Sequence, residues 1–178
     1  MSWRIDWDGV TYDVPQRDSQ RQRVYDAEHL CFHWHRNTRQ LRNLSLEQLQ
    51  MLTDGLWESD VVKGLLRKAR RRPDQRAPEV RLDKANARWA RGCAAYIKLP
   101  PWALNIHTVI HEVAHAIAPL GAKHNWMFAA VMLELTEEFM GLEWRTRLEL
   151  NYENHGVRFA PRKDQISKDT WAVAADRR

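Results

Sequence analysis

The five residues His111-Glu112-Val113-Ala114-His115 constrain the fold of this chain more than any other stretch. They lie inside an apolar run, Ile106 to Ala118, that predicts a buried helix. Histidines four residues apart lie one turn apart on the same helix face, so both imidazoles can reach one metal ion. With 8 histidines in 178 residues, chance supplies roughly 0.02 such motifs, so a metal site is favoured over two ordinary helix histidines.

A third ligand is expected after this helix, because zinc hydrolases hold the metal with three protein ligands and leave the fourth position to water. The chain can reverse at Pro119 and Gly121, which places His124 at the start of the next predicted helix. We therefore predict His124 as the third ligand. Glu134, within that next helix, is the alternative. His107, one turn before the motif, is a fallback ligand, although a role in supporting the ligands or in the first helical turn is favoured for it.

Glu112 is the predicted catalytic residue. It lies beside the first motif histidine, where its carboxylate could deprotonate a water activated by the metal. The predicted metal is Zn²⁺, although imidazole ligands also suit other divalent ions. Tyr152 and His155 are the downstream side chains that could stabilise an oxyanion or donate a proton.

The elements around the motif predict an α+β fold, with a small sheet packed on a mainly helical body. Asp8-Gly9 lies between two alternating segments and predicts a hairpin over about 3–14. Pro119 and Gly121 separate the motif helix from a predicted helix at 126–140. Two further strands, 79–83 and 92–99, precede the motif helix. A strand beside the cleft could offer its edge to an extended peptide. The other predicted helices start at Asp18, Ser45, Ser59 and Gly141.

Length and composition indicate one domain over 1–160, followed by a flexible basic tail over 161–178. Two cysteines without CxxC spacing and an N-terminus without an apolar segment favour free thiols and a cytoplasmic location. No apolar run is long enough to predict a membrane partner. The net charge of +5 permits contact with nucleic acid, and residues 63–76 carry seven basic side chains against one acidic one.

The three-histidine pattern resembles SprT-like and other small zincin metallopeptidases. It is more closely similar to a family of zinc metallohydrolases found in actinobacteria and their phages, and the similarity covers most of the chain. The matching segments are 17–25, 97–100 with Trp102, 139–141 and 155–158. This resemblance implies a zincin fold, with His111, His115 and His124 on zinc and Glu112 as the general base.

The chain departs from that family beside the third histidine. The family reads H-G-P-E followed by Phe or Trp, whereas this chain has His124-Asn125-Trp126-Met127-Phe128. Met127 thus replaces the family glutamate, and Asn125 is expected to cap the helix instead. Two functions follow as hypotheses: a zinc metallopeptidase that hydrolyses a protein or peptide substrate, or a catalytically degenerate zincin that binds protein or DNA.

Overall fold

The computed structural model describes residues 2–33 and 44–161, and in these ranges the chain is α+β, as predicted. The strands are β1 (Ser2–Trp7), β2 (Val10–Pro15), β3 (Glu79–Leu82), β4 (Arg91–Gly92) and β5 (Tyr96–Leu99). The helices are α1 (Arg21–His33), α2 (Leu46–Glu58), α3 (Asp60–Lys68), α4 (Ile106–Ile117), α5 (Trp126–Met140) and α6 (Leu142–Asn154). The predicted end of the first helix near His35 and the predicted tail from 162 onward lie outside the described residues.

The N-terminal hairpin forms as predicted. β1 and β2 pair antiparallel, with Ile5 opposite Tyr12. Asp8 and Gly9 both have positive φ, 51° and 76°, which two-residue hairpin turns of type I′ require. The alternating apolar side chains fall on one side of the hairpin, where Ile5, Tyr12 and Val14 are buried in the core. The hairpin is therefore part of the body of the protein.

A second sheet has the strand order β3-β5-β4, with β3 parallel and β4 antiparallel to β5. The prediction of one continuous strand over 92–99 was wrong. The Cys93 N–H donates to the Tyr96 carbonyl over 2.9 Å, which closes a tight turn between β4 and β5. Alanine is a weak strand former, so the small residues Ala94 and Ala95 occupy the turn although the polarity pattern alternates through them.

Four helices form the frame of the site. α4 packs against α5, and α6 packs against both α5 and α1. The side chain of Asn105 caps α4 by accepting from the Thr108 N–H over 2.9 Å, as predicted. Ser45 and Gln48 form the predicted capping box of α2. Within the described residues, no helix is both long and apolar enough to cross a membrane.

Candidate metal centre

Three histidines converge where α4 meets the turn before α5. One ring nitrogen each from His111, His115 and His124 lies within 4.8 Å of the other two. His111 and His124 are buried, whereas His115 is only partly covered. Glu134, the alternative third ligand, is exposed on α5. The structure thus brings together the three predicted ligands and leaves the alternative outside the cluster.

Local backbone signals place His124 opposite the motif helix. α4 ends at Ile117, and the chain then reverses through Gly121 and Lys123, whose φ angles are 87° and 50°. Asn125 caps α5 as expected, because its side-chain oxygen accepts from the Met127 N–H over 2.9 Å. His124 therefore lies immediately before a fixed helix start.

Two carboxylates hold two of the imidazoles. Glu28 Oε2 lies 2.8 Å from His111 Nδ1, and Asp18 Oδ2 lies 2.8 Å from His124 Nδ1. A carboxylate at Nδ1 fixes the proton there and leaves Nε2 free to bind a metal. Among the described residues, the buried Nε2 of His124 has no hydrogen-bond partner. A buried polar atom without a partner is costly, and a metal ion shared with His115 would satisfy it.

Glu28 also binds two other side chains. Its exposure is only 2%. The Tyr152 hydroxyl donates to Oε1 over 3.0 Å, and His107 Nε2 lies 3.2 Å from Oε2. Burial alone would raise the pKa of Glu28, but the charges and hydrogen bonds of His111 and His107 lower it well below its ordinary value. His107 therefore contacts Glu28 and does not belong to the three-histidine cluster.

The electrostatics differ between the two motif histidines. Burial disfavours the charged form of both, yet the Glu28 carboxylate raises the pKa of His111 above its ordinary value. Burial and the neighbouring His111 and His124 hold the pKa of His115 well below its ordinary value. His115 therefore presents a neutral imidazole, which is the form that binds metals.

Glu112 is held between the motif helix and β4. Its exposure is 5%. Burial dominates and raises the pKa of Glu112, while the charge of His111 and the nearby backbone N–H of Gly92 act to lower it. A Cβ on Gly92 would lie 2.3 Å from the Glu112 carbonyl oxygen, so a side chain cannot fit there. Glycine at this position lets the strand approach the motif helix closely enough to fix the glutamate.

Aromatic rings close the cluster. The ring of Phe128 lies 4.4 to 4.9 Å from the rings of all three histidines. The ring of Tyr25, on α1, lies 5.5 Å from that of His111 and 5.0 Å from that of His124. Tyr25 is half-buried, so it stands between the histidines and solvent.

The two residues predicted to stabilise an oxyanion have other partners. The Tyr152 hydroxyl is fully buried and donates to Glu28, which is a supporting contact. His155 Nδ1 lies 2.8 Å from the Asn151 carbonyl at the end of α6. The tyrosine that lies beside the three histidines is Tyr25, which the sequence analysis did not single out. Its position three residues before Glu28 on α1 becomes informative only once α1 is seen to pack on the site.

Glu28 was not predicted as part of the site from the sequence, and Asp18 was predicted only as a helix cap. One signal for Glu28 was present, because it lies one turn after Val24 on the apolar stripe of α1. A charged residue on a buried stripe is rarely tolerated without a partner. Asp18 gives no such signal, since it lies in the irregular segment before α1.

No protein-family model, no curated protein and no solved structure matches this chain.

Proposed function

We propose that this protein is a zinc-dependent metallohydrolase that cleaves peptide bonds, with His111, His115 and His124 as the metal ligands and Glu112 as the general base. One observation carries the proposal. Three ring nitrogens lie within 4.8 Å of one another, at a cluster where a buried glutamate follows the first ligand directly. Three protein ligands with an open fourth position are typical of catalytic zinc, whereas structural zinc has four.

The donor set fits a zinc ion. Carboxylates at the Nδ1 atoms of His111 and His124 leave the Nε2 atoms as donors. The buried His124 Nε2 has no hydrogen-bond partner in the described residues, and a bound ion would satisfy it. Bound zinc would supply a Lewis acid that lowers the pKa of a water and polarises a carbonyl oxygen. Of the three histidines, only His115 is partly exposed, so we expect a substrate to reach the ion beside it.

The side chains divide the remaining work. Glu112 accepts a proton as the water oxygen bonds to the scissile carbonyl carbon, and it returns that proton to the amine as the C–N bond breaks. Gly92 on β4 lets this strand lie directly against α4 at Glu112. Glu28 and Asp18 keep two ligand rings in one tautomer and one orientation. Phe128 covers the three rings and excludes water from that side of the cluster.

The replacement of the family glutamate by Met127 is compatible with activity. Met127 is fully buried in the core, and Asn125 supplies the helix cap. The carboxylates that hold the ligands come from Glu28 and Asp18 instead. For the alternative of a degenerate zincin that binds DNA, the basic stretch 63–76 gives less support, because Arg70 pairs with Asp6 and Arg71 donates to the Ala118 carbonyl.

The metal site can be tested by elemental mass spectrometry of the purified protein and its variants. We expect about one zinc ion per chain in the wild type and in Glu134→Ala, and loss of zinc in His124→Ala. Glu134→Ala is the matched control, since it removes the alternative ligand from an exposed position. If His124→Ala keeps its zinc and Glu134→Ala loses it, then Glu134 and not His124 is the third ligand.

The chemistry can be tested with Glu112→Gln and a peptide substrate screen. Because the glutamate transfers protons and is not a ligand, we expect this variant to keep its zinc and lose turnover. Turnover at the wild-type rate would remove Glu112 from the mechanism. A wild-type protein that binds zinc but cleaves no peptide, and that shifts DNA in a salt-dependent way, would support the alternative function.

A further inference from the structure

Three side chains outside the metal centre form a continuous wall beside it, here called the α1 wall: Arg21, Tyr25 and Trp89. The rings of Tyr25 and Trp89 stack with centroids 6.3 Å apart and planes at 15°. The guanidinium carbon of Arg21 lies 5.5 Å from each ring centroid. Tyr25 in turn contacts the rings of His111 and His124. The α1 wall therefore runs from the ligands outward to solvent.

In residues 2–33 and 44–161, no carboxylate lies within ion-pair distance of the Arg21 guanidinium, which lies against the rings of Tyr25 and Trp89. Asp18 is near enough for the charge of Arg21 to help lower its pKa, but the Asp18 carboxylate is hydrogen-bonded to His124. Glu28 is hydrogen-bonded to His111, and Glu112 is buried. Arg21 is exposed at the start of α1, and Tyr25 lies between it and the rings of His111 and His124. A guanidinium held over two aromatic faces loses little rotamer freedom when it binds a carboxylate.

Trp89 is 59% exposed although it is stacked on Tyr25. The loop that carries it is anchored, because Trp102 Nε1 donates to the Ala87 carbonyl over 3.1 Å and Arg91 pairs with Asp83 over 2.8 Å. Tryptophan and tyrosine are enriched at binding interfaces, and here an exposed indole is stacked on a tyrosine that contacts the histidine cluster. The α1 wall therefore combines the apolar face of the Trp89 indole with the positive charge of the Arg21 guanidinium.

We infer that the α1 wall is a substrate subsite that selects peptides with a carboxylate within a few residues of the scissile bond. Arg21 would pair with the carboxylate, and Trp89 would pack against the aliphatic part of the same residue. This inference rests on the proposed peptidase function for its substrate class. The carboxylate can be an acidic side chain or the C-terminus of the peptide, since a guanidinium binds both in the same way.

The test measures binding, so it does not depend on turnover. Zinc-loaded Glu112→Gln protein is titrated by calorimetry with end-blocked alanine–serine hexapeptides that carry one glutamate, and with the same peptides carrying glutamine. A second pair of titrations compares the uncharged hexapeptide with a free C-terminal carboxylate and the same peptide with an amidated C-terminus. We expect one carboxylate source to bind roughly 10–100-fold more tightly than its neutral partner, as for other charge-assisted hydrogen bonds.

Variants of the wall separate recognition from folding. In the Glu112→Gln background, Arg21→Gln should make the carboxylate peptide and its neutral partner bind with about equal affinity, while the zinc content stays unchanged. Arg88→Gln is the matched control, because it removes an exposed arginine from the Trp89 loop and should leave the preference intact. A preference that survives Arg21→Gln, or that vanishes equally in Arg88→Gln, would overturn the inference.

The remaining outcomes distinguish this inference from the proposed function. Arg21-dependent binding of a carboxylate peptide by a wild-type protein that cleaves none would support the subsite and contradict the peptidase. Cleavage of the glutamate and glutamine peptides at equal rates would support the peptidase and contradict the subsite. A (dT)12 oligonucleotide that binds more tightly than every peptide, in an Arg21-dependent way, would reassign the wall to base stacking and overturn the inference.

Discussion

At the scale of single residues, Glu28 joins three parts of the chain that are far apart in sequence. It contacts His111 and His107 on α4 and Tyr152 on α6. The convergence of His111, His115 and His124 could be predicted because their positions follow from helix periodicity and one short turn. Glu28 could not be assigned a partner from sequence, because its role depends on how α1 packs against α4 and α6, and that packing has no local signature.

Glu28→Gln should weaken zinc binding by about 10–100-fold, because an amide cannot fix the Nδ1 proton of His111 as a carboxylate does. Competition with a chromogenic chelator measures this affinity. Tyr152→Phe is the control: it keeps the buried ring, removes one hydrogen bond to Glu28, and should have a smaller effect. Equal zinc affinity in Glu28→Gln and the wild type would show that Glu28 serves packing alone.

Gly92→Ala should destabilise the protein by about 1–3 kcal/mol, because the new methyl group would overlap the Glu112 backbone. Urea unfolding measures the loss. Gly55→Ala is a suitable comparison, since a Cβ there meets nothing within 4 Å. Gly55→Ala should not lose stability, because it lies inside α2 with open space around it. If Gly92→Ala unfolds at the same urea concentration as the wild type, β4 does not pack closely on the motif helix.

At the scale of elements, strong local patterns gave correct predictions and weak ones did not. α5 and α6 occupy the segments that their apolar stripes and flanking Gly141 predicted, and the hairpin follows its Asp8-Gly9 turn. The segment 92–99 was wrong because alternation continues through the turn at Ala94 and Ala95. The zincin assignment stays a prediction, since the described residues establish only the coarser α+β class.

The glycines of two elements should respond oppositely to alanine. Gly9→Ala should lower the free energy of unfolding by about 1–2 kcal/mol, because the hairpin turn holds this residue at a φ of 76°. Gly64→Ala should raise it by about 0.5–1 kcal/mol, because it lies inside α3 with open space around it. Thermal unfolding compares the two, and a stabilised Gly9→Ala would exclude the type I′ turn.

At the scale of the whole molecule, zinc should stabilise the fold because its ligands come together only in the native state. A free zinc concentration about 100 times Kd should add about 2.7 kcal/mol, which raises Tm by roughly 5–10 °C for a chain of this size. A chelator should reverse the shift. Calorimetry of His124→Ala provides the control, and the same shift in that variant would place the stabilising zinc elsewhere.

The long sequence separation between His111 and His124 and the carboxylates that hydrogen-bond them determines the order in which the proposed site can form during synthesis. Asp18 and Glu28 leave the ribosome well before His111 and His124, and Tyr152 follows later still. During synthesis the early carboxylates have no partners, and the motif helix emerges with ligand rings that it cannot orient until α1 returns to it. A correctly loaded centre would therefore report that α1 has packed against α4 and α6.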